Sequence, residues 1–339
     1  MDPTEVSRIL VEWFEVHGRH LPWRPDEDPY RIWLMVVMLQ QTRVETVLPY
    51  YERFVTTFPT LPELAAADDE AVLAAWKGMG YYSRARNLLA GAREMVASYN
   101  GRVPEAPEAL ERLPGVGRYT AAAVASIAFD APAAAVDGNV LRFLSRFFAE
   151  TGDIGNAKVR ARLETLAASL LPASGRGLHN QAAMDFGALV CAPVPHCDAC
   201  PFAGACAAFA QGIQADLPKK TGKTAPLTEH HFVARIRDAD GRTLLHRRPA
   251  KGLLANFWEL PNVVQAGDPV AAFRSAGLDL EILAGLGEVR HVFTHRLWVL
   301  HVVSARLIRD PADFSRYQWC ADPHEATLPR AFSKILELE

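Results

Sequence analysis

A mainly α-helical N-terminal domain followed by an α+β C-terminal domain is the architecture this sequence predicts, on three observations. The chain has 339 residues, more than a single core commonly organises, so two domains are expected. From about residue 4 to 208 apolar residues recur at three- and four-residue spacing, the signature of helices with one buried face. Beyond a polar stretch, HFVARIRD, TLLHRR and HVFTHRLWVLHVVSARL are rich in β-branched and aromatic residues and partly alternate, which favours strands. The stretch between them, QGIQADLPKKTGKTAPLTEHH at 211–231, has few large apolar residues and several Lys, Pro, Gly and Thr, the mixture of an exposed connector. The expected domains are therefore 1–208 and 230–339, joined by a linker at 209–229.

In the first domain EVSRILVEWFEV, DDEAVLAAWKGM, YTAAAVASIAF and NVLRFLSRFF are the helical runs, with Gly and Pro between them. In IWLMVVMLQQT, residues Ile32, Met35, Val36 and Leu39 form an i, i+3, i+4, i+7 stripe, a buried helix face. ALERLPGVGRYTAAAVASIAF reads as helix, tight turn (Leu113-Pro114-Gly115-Val116-Gly117) and helix. Its glycines allow close backbone approach to a ligand, and amides at the second helix start can hold an anion such as a DNA phosphate. An ordinary helix connection would read the same way. Asp137 in AVDGNVLRF precedes a helical run and suits an N-cap.

Half of the residues are hydrophobic, yet no apolar run approaches the roughly 20 residues a spanning helix needs. MDPTEVSRILVEWFEV carries acids where a secretory signal needs a basic start, so a cytoplasmic protein is expected. A net charge of −3 argues against coating nucleic acid by bulk attraction. Local basic stripes remain open: Arg84, Arg86 and Arg93, and the group Arg247, Arg248 and Lys251, either contact a polyanion or are simply solvated faces.

Four of the five cysteines, Cys191, Cys197, Cys200 and Cys206, fall within CAPVPHCDACPFAGAC, 191–206. In a reducing compartment a disulfide framework is the weaker reading. Zinc ribbons usually bring two C-x-x-C knuckles from separate hairpins. A single C-x-x-C flanked by lone cysteines after a helix better suits four thiolates around a 4Fe-4S cluster. Cys320, in YQWCAD, is most simply a packed residue.

The hairpin turn, Asp137 shortly downstream and the cysteine loop after it together resemble the helix-hairpin-helix DNA glycosylase superfamily. Within it the match is to MutY-type adenine DNA glycosylases, through LPWR at 21–24, DPYRIW at 28–33, MLQQTRVETV at 38–47, GMGYYSRARNL at 78–88, VDGNVLRFLSR at 136–146 and GLLANFWELP at 252–261. The resemblance covers nearly the whole chain. It implies a glycosylase domain with an iron-sulfur loop and a MutT/Nudix-like second domain, in a monomer that acts on double-stranded DNA holding adenine opposite 8-oxoguanine. The sister endonuclease III type carries a lysine nucleophile two residues after the second hairpin glycine. Tyr119 stands there instead, so Schiff-base lyase chemistry at this position is not expected.

By resemblance, Gln41 and Tyr81 enter the gap left by a flipped adenine, with Leu39 and Gln40 beside them. The plain alternative for Tyr81 is core packing. Gly115 and Gly117 face phosphate, Asp137 stabilises a deoxyribosyl cation-like transition state, and Tyr119 assists. Arg24, Asn139 and Gln181 orient the base or the catalytic groups and Trp23 lines the pocket; Gln181 also reads as an ordinary helix residue. In the second domain no Nudix box is found, so recognition rather than hydrolysis is implied. Phe293, Thr294 and His295 match the loop that senses 8-oxoguanine, where Thr replaces the usual Ser and keeps the hydroxyl.

Two departures stand out. The family normally carries Ser-Glu before MLQQT, and that glutamate protonates adenine; here the residues are Met35 and Val36. A positioned general acid is worth roughly 10² to 10⁴ in rate. Glu45, read as lying half a turn away on the same helix, offers no replacement. The first cysteine gap is also one residue shorter than is usual in the family. Three readings follow: a working adenine glycosylase using Asp137, Tyr119 and water; a module that binds 8-oxoguanine mispairs without cutting; or an inactivated copy of a glycosylase.

Overall fold

The computed structural model describes residues 1–24, 27–222, 226–249, 252–265, 267–293, 295–324, 326 and 328–338. Contacts divide the chain into two units, Met1–Gly222 and Lys223–Glu339. Among the described residues, no helix is long and apolar enough to cross a membrane.

The first unit is helical and holds two cores. One gathers Trp33, Leu34, Phe54, Trp76, Leu88 and Val124. The other gathers Leu10, Leu144, Phe143, Phe186 and Phe202. The helix Pro29–Leu39 is central to the first. It starts sharply because Asp28 accepts from the Tyr30 amide and Pro29 occupies the first turn. All of residues 32–38 are buried, so the helix is enclosed on every side rather than along the single stripe its spacing suggests. It ends at Leu39, and Glu45 belongs to the next helix, Val44–Thr57, as an exposed residue of its first turn. The half-turn geometry expected for Glu45 is therefore incorrect, because the backbone breaks at Gln40 and Gln41. The second core is built around the helices Gly138–Phe147 and Arg176–Leu189, on which the N-terminal helix Pro3–His17 packs.

The expected linker proves shorter than its composition implies. Ala207–Ala210 form a helical turn, Leu217 is buried and its carbonyl accepts from Arg146 Nε at 2.9 Å, and Ile154 donates to the Lys219 carbonyl. Polar composition concealed this because the docking is made by backbone groups.

The second unit contains strands β1 (Leu227–Ile236), β2 (Thr243–Arg247), β3 (Trp258–Glu259), β4 (Asn262–Val264), β5 (Leu280–Val292), β6 (Arg296–Leu307) and β7 (Tyr317–Cys320). Among the described residues they form a sheet of order β4-β1-β6-β5, with β1 parallel to β6, and a second of order β3-β2-β7. The helix Arg330–Leu336 closes a core with Val233, Leu300 and Val302. The helix Pro269–Ser275 contributes Phe273 to another with Ala234, Ile236 and Ala305. Helices beside a mixed sheet are the α+β arrangement expected.

Candidate active site and duplex-facing turns

The hairpin is a four-residue helix, Pro107–Leu110, a turn, and the helix Arg118–Phe129. Gly115 has φ +74°, and a Cβ there would meet the Asn87 side chain at 2.7 Å, so this turn requires glycine. Gly117 caps the second helix without any side-chain bond, and a Cβ on it would meet nothing within 4 Å. The first-turn amides thus have no side-chain cap, which an anion site needs.

Tyr119 and Asp137 lie at the seam between the two cores. Tyr119 packs against the first, and its hydroxyl donates to Met184 Sδ, a residue of the second, at 3.3 Å. Burial raises the Tyr119 phenol well above its usual range, and the nearby Asp137 charge adds to the shift. Asp137 is the N-cap of the helix Gly138–Phe147, accepting from the Asn139 and Val140 amides at 2.9 and 2.8 Å. Its second oxygen accepts from Asn139 Nδ2 at 2.8 Å. Arg142 completes the chain by donating to Asn139 Oδ1 at 2.9 Å. Burial holds the Asp137 carboxyl above the ordinary range, although these donors pull the other way. The cap and the candidate catalytic role therefore coincide in one side chain.

Gln40 Nε2 donates to Thr120 Oγ1 at 2.9 Å and to the Gly115 carbonyl at 3.3 Å, tying the end of the helix Pro29–Leu39 to the hairpin beside Tyr119. Val36, 4% exposed, is one turn earlier and so on the same side. Leu39 is half-buried against the first core. Gln41 is exposed with φ +58°, and Tyr81 is 48% exposed with φ +49°. The core-packing alternative for Tyr81 is thereby excluded. Gln181 is half-buried on the helix Arg176–Leu189.

Trp23 is buried with its ring edge-on to Tyr51, centroids 5.2 Å apart. Arg24 lies 4.3 Å from the Phe14 ring centre and donates through Nη2 to Asp185 at 2.8 Å. Asp185, 1% exposed, is a residue that sequence reasoning missed; it also accepts from the amide, Nε and Nη2 of Arg19. Only the acid inside an otherwise apolar helical face of AAMDFGAL hints at it. Burial lowers the Arg24 pKa, against the pull of Asp185. Asp185→Ala would strand that cation, and a loss of about 3 to 5 kcal/mol is expected, measured as the denaturant midpoint of the helical unit.

The basic stripe expected at 84, 86 and 93 is not a surface feature throughout. Arg84 is buried, and Arg93 bonds the Ala65 and Ala67 carbonyls and pairs with Asp69. Nine residues apart, the two lie on opposite helix faces: Arg84 shares the buried stripe of Leu88, Gly91 and Met95, whereas Arg93 stays exposed. In the second group Arg248 pairs with buried Glu259 at 2.6 Å, and Lys251 lies outside the described residues.

Cys191, Cys197, Cys200 and Cys206 are free thiols that line one cavity with Phe143, Phe147 and Phe202. Among the described residues no three His, Cys, Asp or Glu side chains converge as a finished metal cage, so the thiols are neighbours around a shared space. Burial and the other thiols push Cys200 up to about 11. Arg146 donates to the Ala192, Pro193 and Cys191 carbonyls and reaches Cys191 Sγ at 3.5 Å. Four thiols facing one hollow, with a guanidinium at its edge, fit an iron-sulfur core: as thiolate ligands they would carry net negative charge that the guanidinium offsets.

In the second unit Phe293 sits in the β5–β6 turn, edge-on to Trp298 with centroids 4.8 Å apart. His295 is exposed, and Thr294 lies outside the described residues.

A helical unit with this hairpin, followed by an α+β unit, defines a base-excision DNA repair protein with an appended Nudix-type domain. Residues 34–169 match the HhH-GPD superfamily of base excision DNA repair proteins and residues 232–338 match the NUDIX domain. The adenine DNA glycosylase of Rattus norvegicus is 36% identical over 368 residues, covering 90% of this chain and 71% of that protein. That of Buchnera aphidicola subsp. Schizaphis graminum is 28% identical over 98% of both. A thermostable thymine-DNA glycosylase structure, 30% identical, superposes with a TM-score of 0.57 over 62% of this chain and 97% of its own. The chain belongs to the adenine DNA glycosylase family.

Proposed function

We propose that the chain grips duplex DNA through the hairpin amides and the Gln41 and Tyr81 turns, and extrudes an adenine paired with 8-oxoguanine toward the seam at Tyr119 and Asp137. The observation that carries this reading is the seam itself: a desolvated carboxylate held by three donors, beside a hairpin with uncapped amides and two exposed side chains in strained turns.

Asp137 would stabilise the positive charge that develops on the deoxyribose as the N-glycosidic bond stretches, and its donors keep it oriented without reorganisation. Asn139 fixes that carboxylate, Tyr119 and Gln181 bound the pocket, and Trp23 and Arg24 close its side. Phe293, Thr294 and His295 would meet the 8-oxoguanine strand. Cys191, Cys197, Cys200 and Cys206 would hold a 4Fe-4S cluster, which supplies a redox-capable anchor for the 191–206 loop when bound. With Val36 at the family's acid position, no side chain on that face of the helix Pro29–Leu39 can protonate the leaving adenine, so binding outruns cleavage. The second reading, a module that binds mispairs without cutting, has one observation in its favour: the apolar Val36 at the acid's position.

The test is fluorescence anisotropy on duplexes that differ only at one pair. Tighter binding to adenine opposite 8-oxoguanine than to adenine opposite thymine, by at least about 10-fold, is expected. Equal affinity for the two would overturn the reading.

A further inference from the structure

We propose that the buried guanidinium of Arg84 is a positioning residue that locks both duplex-facing turns into one register, so that Gln41 and Tyr81 enter a base stack together. The inference rests on the reading of those two side chains as the inserted pair, and goes beyond it by naming what holds them.

The helix Pro29–Leu39 ends with carbonyls that lack helical partners. Arg84 Nη1 donates to two of the carbonyls at this end, those of Met38 and Gln40, each at 2.6 Å. Its Nη2 donates to Thr42 Oγ1 at 2.9 Å and to the Gly80 carbonyl at 3.3 Å. The Gln40 carbonyl belongs to the peptide group that precedes Gln41, and the Gly80 carbonyl to the one that precedes Tyr81. One planar fork therefore grips the backbone directly before each exposed side chain. It also lies 5.3 Å from the Tyr81 ring centre and 5.3 Å from that of Trp76, while the Trp76 indole donates to the Gly80 carbonyl at 3.1 Å.

Both gripped residues have positive φ, a region non-glycine residues occupy only when their surroundings over-determine it. Here the over-determining contact is shared. Arg84 is 6% exposed, and among the described residues no carboxylate pairs with it; burial brings its pKa down to about 10. Holding a cation there on carbonyls, a hydroxyl and two ring faces, with no carboxylate, is costly, and a simple filler of the same volume would avoid that cost. Lysine offers a point charge in place of a fork and cannot span the two turns.

The experiment places 2-aminopurine in the adenine position opposite 8-oxoguanine and follows the fluorescence that rises when the base unstacks, a readout that needs no bond cleavage. The unaltered protein is expected to give the rise. Arg84→Lys, which keeps the buried charge, and Arg84→Gln are each expected to lose it by about 10-fold or more. Arg84→Lys should lose more of that signal than of its affinity for a fully paired duplex. Adding Tyr81→Ala to Arg84→Lys should then cost little further signal, because both act through one contact. A full signal from Arg84→Lys overturns the proposal, as does a loss no larger than its loss of paired-duplex binding. If the unaltered protein gives no rise, the insertion reading itself fails, and the proposal fails with it.

Discussion

Val36→Glu is expected to raise the single-turnover rate of adenine excision opposite 8-oxoguanine by roughly 10² to 10⁴. Adenine is a poor leaving group unless one of its nitrogens gains a proton as the glycosidic bond breaks. A valine has no proton to give, and the other residues of the helix Pro29–Leu39 that share its face are apolar. Position 36 lies one turn before Gln40, whose amide touches Thr120 beside Tyr119, so a glutamate there would project toward the seam that holds Asp137. Its cost is desolvation: the site is 4% exposed, and the new carboxyl should titrate above its ordinary range, which suits a donor near neutral pH. The gain should therefore carry a pH signature, falling at high pH as the introduced carboxyl ionises. Excision by the unaltered chain within about 10-fold of the variant would show that another group supplies the proton.

How much of this was legible beforehand depends on how far apart the partners are. The Asp137 cap, the hairpin turn and the cysteine loop are local, each set by residues within one or two turns, and their residue types announce them. The domain order followed from period alone. By contrast, the Asp185 pairs with Arg19 and Arg24 span more than half of the helical unit, and no spacing rule connects them. Arg84 shares the helical stripe of Leu88, Gly91 and Met95, so its spacing faces it inward while its charge reads as solvated, and most of its partners, carbonyls around residues 38–42 and at Gly80, are backbone groups that every sequence has. The end of the helix at Leu39 was hidden for the same reason: an arginine more than forty residues away, rather than a local glycine or proline, caps its carbonyls.

Asp137→Asn, made in the Val36→Glu chain, should remove about 10² to 10³ of the excision rate while changing the fold's stability little, the lifted charge offsetting one lost hydrogen bond. The two effects separate because the side chain has two roles. As an N-cap, asparagine accepts from the Asn139 and Val140 amides as aspartate does, but its Nδ2 cannot accept from Asn139 Nδ2, so that one bond is lost. As a charge, aspartate is penalised: burial raises its pKa in the folded chain, so the folded state holds the proton more tightly than the unfolded one. Stability from this group is accordingly lost as pH rises from the unfolded pKa through the raised folded value, and above that window the ionised carboxylate is a net burden. Asparagine lifts the burden and forfeits the negative charge that opposes the developing sugar cation. In a thermal melt at neutral pH the midpoint should hold; as pH falls and Asp137 gains its proton, the parent chain should gain stability relative to the variant. The same titration sets the acid side of the Val36→Glu rate profile, which should fall at a higher pH than an exposed carboxylate would give. A melt midpoint that drops at neutral pH would mean that the cap, rather than the charge, is what this residue contributes to the fold.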